Sequence, residues 1–241
     1  MQFTCRYGDE EFRYAVCYRP TIRKKVAVHV HPNGSVQVNA PSGTANAAIK
    51  EAVQRRARWV TTQLEQLREQ QREVLPRRYV SGESHFYQGR RYPLKILWTQ
   101  GKPRVSLRRG QFRISTADRS PQAVKALLWQ WYRAHAQDTF ERRLGVLGQR
   151  VSWLSGQRPP ITLRTMKKRW GSCSPRGRIV LNPHLVKAPR DCIDYVIMHE
   201  LCHLKEHNHS PQFHQSLSQL MPDWKAVKSR LDGMAELLLN A

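Results

Sequence analysis

The sequence predicts an α+β chain: a β-rich N-terminal half, then a compact helical half with a small sheet and a His-Glu-x-x-His helix. Three observations predict it. Short runs of Val, Tyr and Phe alternate with polar residues through much of the first 117 positions. Longer stretches with apolar residues three and four apart prevail from 118 onward. Near the end of one of these lies His199-Glu200-Leu201-Cys202-His203. A chain of 241 residues makes one large or two small domains with a real core. The composition shift at Asp118-Arg119-Ser120-Pro121 places the expected boundary between a β-rich region 1–117 with one long helix and a second domain 118–241.

Taken in order, residues 12–18 and 25–30 read as strands, and His31-Pro32-Asn33-Gly34 marks a turn into a strand over 35–39. Residues 46–73 form one long polar helix, with Ile49, Val53, Trp59, Val60 and Leu64 among its apolar members. Strands follow over 86–97 and 105–114, then a second long helix over 121–147 carrying Val124, Leu127, Leu128, Trp131 and Phe140. Residues 161–166 and 178–181 read as a hairpin around the Trp170-to-Gly177 loop. Residues 191–204 carry Ile193, Val196, Ile197, Leu201 and Leu204 at the spacing of a buried helix, with Pro189 where it would begin. Residues 212–220 and 224–239 are helical in pattern, and no internal repeat is apparent.

Histidines four apart on a helix sit one above the other, so His199 and His203 can reach one cation. Glu200 points to nearly the same side, where it can touch a water on that cation without being a ligand. This is the arrangement of a zinc-peptidase helix, with Glu200 as general base. A third ligand must come from outside the helix. His207, eight residues after His199, would lie about 12 Å along a continuing helix, too far for zinc–nitrogen bonds of about 2.0–2.1 Å. Asn208 suits a helix end, and Ser210-Pro211 the cap and first position of the next helix. His209 falls in the turn between them and is the expected third ligand, with His214 second and Glu206 weaker. Three protein ligands leave a position for water, as a catalytic zinc requires. The spacing equals that of metzincins, but Glu206 stands where their glycine would be and no Met-turn is evident.

The match extends beyond the motif. Arg169-Trp170-Gly171-Ser172-Cys173-Ser174 and Gly177-Arg178-Ile179-Val180-Leu181-Asn182 precede it. Ile193-Asp194-Tyr195-Val196 leads into it, and Asn208-His209-Ser210 with Phe213 follows. Earlier pieces are Gly34-Ser35-Val36, Ala40-Pro41, Trp59, and Gly82-Glu83 through Tyr87, Gly89-Arg90 and Tyr92. In order and spacing these resemble the YgjP-like metallopeptidases, compact zincins related to the SprT-like proteases. The resemblance implies that His199, His203 and His209 bind Zn2+ and that Glu200 is catalytic. One departure is His214, where the family usually carries Trp.

For peptide hydrolysis, Glu200 would take a proton from the attacking water, and Tyr195 and Arg169 are candidates for contacting the transition state. A strand edge near residues 179–182 could hold an extended protein or peptide substrate by backbone pairing. The same metal chemistry on a nucleotide phosphoanhydride is the alternative activity. Lys and Arg number 41 against 18 acidic residues, a formal charge of +23, which attracts nucleic acid in a salt-dependent way. The SprT-like relationship points the same way, since some of those proteases cut proteins crosslinked to DNA. No apolar run approaches the roughly 20 residues a membrane span needs. The five scattered cysteines, Cys5, Cys17, Cys173, Cys192 and Cys202, read as reduced thiols in a cytoplasmic protein.

Overall fold

The structure is a computed structural model. It describes residues 2–8, 10–19, 26–31, 34–72, 77–167 and 169–239, with the backbone alone at 19 and 66–72. The chain divides into two compact units, Met1–Leu75 and Pro76–Ala241.

In the first unit, β1 (Gln2–Tyr7), β2 (Glu10–Arg19), β3 (Ala27–Val30) and β4 (Val36–Pro41) form a sheet in the order β1-β2-β4-β3. The central pair is parallel and both outer pairs are antiparallel. Gly34 turns the chain into β4 with φ +72°, its N–H donating to His31 O at 2.9 Å. Pro32, Asn33 and Lys25 lie outside the described residues. The long helix expected over 46–73 is two, α1 (Asn46–Arg55) and α2 (Ala57–Arg72), because Arg56 leaves helical geometry at φ −106°, ψ 3°. Ile49, Val53, Ala57, Val60 and Leu64 still form one buried stripe, at spacings of three and four. Trp59 lies off that stripe and is 44% exposed.

The second unit opens with β5 (Ser84–Tyr87), β6 (Arg90–Trp98), β7 (Arg104–Arg108) and β8 (Gln111–Thr116), ordered β5-β6-β8-β7. Its pairing is antiparallel, parallel, antiparallel, so it repeats the topology of the first sheet, a repeat not apparent in the sequence. The strands expected over 86–97 and 105–114 each turn at a two-residue corner. Gln88-Gly89 and Arg109-Gly110 both take positive φ, as tight hairpins require.

Next comes α3 (Pro121–Gly148), capped by the Ser120 hydroxyl, which accepts from Ala123 N at 3.3 Å. The composition shift at 118–121 coincides with a helix cap inside the second unit. Val124, Leu128, Tyr132, Phe140 and Leu144 of α3 join the core that also holds Phe112 and Ile114 of β8.

A small sheet of β9 (Ile161–Leu163), β10 (Gly171–Cys173) and β11 (Ile179–Leu181) follows, ordered β10-β11-β9. The hairpin expected between 161–166 and 178–181 is not formed, because β9 and β11 run parallel. The loop between them supplies its own strand, and the hairpin is β10–β11, closed at Ser174–Gly177 with Gly177 at φ +78°. This places β11 in the middle of the sheet, so the strand edge expected near 179–182 is already paired on both sides; a free edge belongs to β10. A 3-10 turn, Pro183–Lys187, leads to α4 (Arg190–Cys202), α5 (Pro211–Leu220), α6 (Trp224–Gly233) and α7 (Ala235–Leu239). The helix expected over 224–239 breaks at Met234. Among the described residues, no helix is long and apolar enough to cross a membrane.

Candidate metal centre

Helix α4 carries the motif and is locked on several sides. Ile193, Val196, Ile197, Leu201 and Cys202 are buried, so Cys202 packs rather than faces the histidines' cluster. Arg143 of α3 grips Asp194 through two bonds of 2.6 and 2.8 Å, and Arg230 of α6 pairs with Asp191. Trp153 Nε1 donates to Leu201 O at 3.1 Å near the C-terminal end. The helix ends at Cys202, with His203 as its cap, earlier than the Asn208 stop expected from sequence. Ser210 caps α5, accepting from Phe213 N at 3.1 Å, with Pro211 first in the helix.

That early stop lets the chain double back and bring His209 beside the pair. His203 Nε2 lies 3.2 Å and His209 Nε2 3.1 Å from His199 Nε2. A tetrahedral ion with bonds of about 2.0–2.1 Å separates its nitrogens by about 3.4 Å, so the cluster has the dimensions of three ligands on one centre. His203 Nδ1–H donates to Glu206 O at 2.9 Å, which leaves the His203 Nε2 lone pair toward the cluster. Burial and the neighbouring imidazoles hold the pKa of His199 down at about 3, so it is a neutral donor. Three imidazole nitrogens converging on one point, His199 among them kept neutral by burial, fit the donor set of a divalent cation.

Phe213, fully buried, lies beneath all three rings, its centroid 5.0, 4.6 and 4.9 Å from those of His199, His203 and His209. Its place four residues after His209, across a helix cap, is the sequence signal for this position. His214 stacks on Trp224 at 5.4 Å and is outside the cluster, as are the Glu206 carboxylate and the exposed His207.

Glu200 is 4% exposed, with Oε2 lacking a hydrogen-bond partner. Burial raises its pKa to about 8, against the opposing charge of Arg169. Its carboxylate rests on β10: a Cβ added at Gly171 would lie 2.6 Å from Glu200 Oε1. Gly171 is thus the residue that admits the glutamate, which spacing alone did not reveal. Arg169 is exposed two residues before Gly171, and its backbone carbonyl accepts from Asn182 Nδ2 at 3.3 Å. Tyr195 is buried, with its ring 5.9 Å from His199 and parallel to Trp224 at 6.5 Å. Its visible role is to pack against the His199 ring.

Comparison with known proteins adds two findings. No curated protein matches the chain significantly. Among solved structures, the metallopeptidase zymogen of Pyrococcus abyssi abylysin is similar, at 27% identity over 42% of this chain and 94% of that chain, with a TM-score of 0.33. The family described as YgjP-like, metallopeptidase domain, matches residues 24–234. That span covers most of both units, and the chain belongs to the YgjP-like metallopeptidases, which are metal-dependent hydrolases.

Proposed function

We propose that the metal is zinc, held by His199, His203 and His209, and that Glu200 is the general base for hydrolysis of a peptide bond. The observation that carries this reading is the convergence of three Nε2 atoms, at 3.1 and 3.2 Å about His199, next in sequence to a buried carboxylate whose Oε2 has no hydrogen-bond partner among the described residues. Zinc in such a site supplies a Lewis acid that brings the pKa of a water toward about 7. Glu200 takes the proton of the attacking water, and the dry pocket against Gly171 holds it until the leaving amine needs it. Arg169 supplies positive charge on the same side, where negative charge develops on the carbonyl oxygen. The free edge of β10 pairs with an extended peptide and lays it past Glu200, replacing the edge expected on β11.

The five free cysteines and the absence of a membrane-spanning helix among the described residues support a cytoplasmic protein. The charge of +23 supports action near nucleic acid. The test is a panel of peptides and nucleotides, each with and without chelator, for wild type and Glu200→Gln. Chelator-sensitive peptide cleavage lost in the variant is expected. Cleavage of nucleotides alone would replace the peptide reading with the phosphoanhydride one.

A further inference from the structure

A second site lies at the opposite end of α4 from the histidines. Lys187 ends the 3-10 turn just before the helix, and His199 lies about 14 Å further along the axis from Arg190. Lys187 is 7% exposed and lines a small cavity of about 30 Å³, together with Arg77, His85, Lys125, Trp129 and Tyr132. Two of its three N–H groups are used, toward Leu238 O at 3.0 Å and His184 Nδ1 at 3.1 Å. Its Nζ also sits 5.1 Å from the centroid of Tyr132.

Among the described residues, no carboxylate lies within 4 Å of Lys187 or Lys125. Among the described residues, Glu83 is the acid that engages this group of cations. It accepts from Tyr79 N at 2.6 Å and Arg78 N at 3.1 Å, and lies 3.9 Å from Arg77 and 3.4 Å from His85 Nε2. With all three groups protonated, one engaged carboxylate leaves two positive charges uncompensated; an anion in the cavity is what would hold the buried Lys187 in its charged form at and above pH 7. An isolated buried ammonium is costly unless it finds a counter-charge.

We propose that this cavity binds a small oxyanion of the phosphate class, held by Lys187, Lys125 and Arg77, separately from the metal centre. A phosphate dianion matches the two uncompensated charges, and a carboxylate monoanion matches half of them. The aromatic walls of Trp129 and Tyr132 exclude water from the contact, which strengthens each charged hydrogen bond. The depressed pKa of Lys187, about 7, follows from burial and from its cationic neighbours Arg77 and Lys125, and agrees with a cation lacking its anion.

The test is calorimetric titration of the full chain with inorganic phosphate, and separately with acetate, at ionic strength matched with chloride. Wild type is expected to show one saturable phosphate site and weaker acetate binding. Lys125→Gln and Lys187→Met should each weaken phosphate by about tenfold or more, the worth of one charged hydrogen bond. Arg58→Gln, which removes an exposed charge in the first unit, should leave it unchanged. Absence of saturable binding over chloride, or equal losses in Lys125→Gln and Arg58→Gln, would overturn the proposal. Lys125 is exposed at the mouth, so its variant decides the matter even if Lys187→Met fails to fold.

Discussion

Glu200 and Gly171 act as one device. The carboxylate needs a dry, close berth to hold a proton, and a glycine on β10 provides the room. Gly171→Ala places a methyl where Oε1 now sits, 2.6 Å away, so the carboxylate must swing off the site. The expected result is a kcat/KM loss of about 10²-fold or more with metal content unchanged, since the ligands lie elsewhere. Phe213 makes the complementary prediction. Phe213→Ala opens a cavity under all three imidazoles, costs roughly 3–5 kcal/mol in urea unfolding and loosens the metal. A variant with normal stability and normal metal affinity would remove the ring from its supporting role. That His199, His203 and His209 come together was legible, because a helix repeat places the first two and a turn brings in the third. Gly171 and Phe213 were quoted but assigned no task, since what they touch comes from other strands and helices.

At the scale of elements, the site depends on α4 being held rigid while its C-terminal end stops early. The bidentate Arg143–Asp194 pair joins α3 to α4 with both side chains mostly buried. Arg143 follows Arg142 in the sequence, and folding turns it inward onto Asp194. Asp194→Ala strands that guanidinium and is expected to cost on the order of 3 kcal/mol, measured by chemical unfolding. A loss well under 1 kcal/mol would make the pair a surface contact in energetic terms. The positions of helices α3 and α4 were legible from apolar spacing and their proline starts. The β10 strand was not, because three half-buried residues, Gly-Ser-Cys, carry no alternation, and their pairing is set by a turn at Gly177. The split strands were missed for a related reason: Gln88 and Arg109 take positive φ in turns whose only sequence mark is one following glycine.

For the whole molecule, charge sets the expected behaviour. His184 is buried against Trp129 at 4.4 Å, and burial with nearby Lys187 lowers its pKa from 6.5 to about 3. Between those values the unfolded chain binds a proton that the folded chain refuses, so this contribution to stability is complete above pH 6.5 and falls as pH drops toward 3. Lys187, lowered from 10.5 to about 7, acts the same way in a higher window: stability rises with pH from about 7 toward 10.5. Thermal unfolding should show both rises; Lys187→Met should abolish the upper one and only reduce the lower, since burial is the larger cause of the His184 shift. An upper rise that survives in that variant would assign it to another group. The excess of basic residues predicts nucleic-acid binding that weakens steeply and linearly in log salt; no binding at moderate salt would confine the peptidase to protein partners. The fold class was legible at this scale, and the composition shift at 118–121 marks the helix cap at Ser120 inside the second unit. The most direct test of the account is the zinc stoichiometry of the purified chain, wild type against His209→Ala, by elemental analysis. One tightly held zinc per chain, largely lost in the variant, is the expected result; a wild type that takes up no metal, or a variant that keeps its full complement, would contradict it.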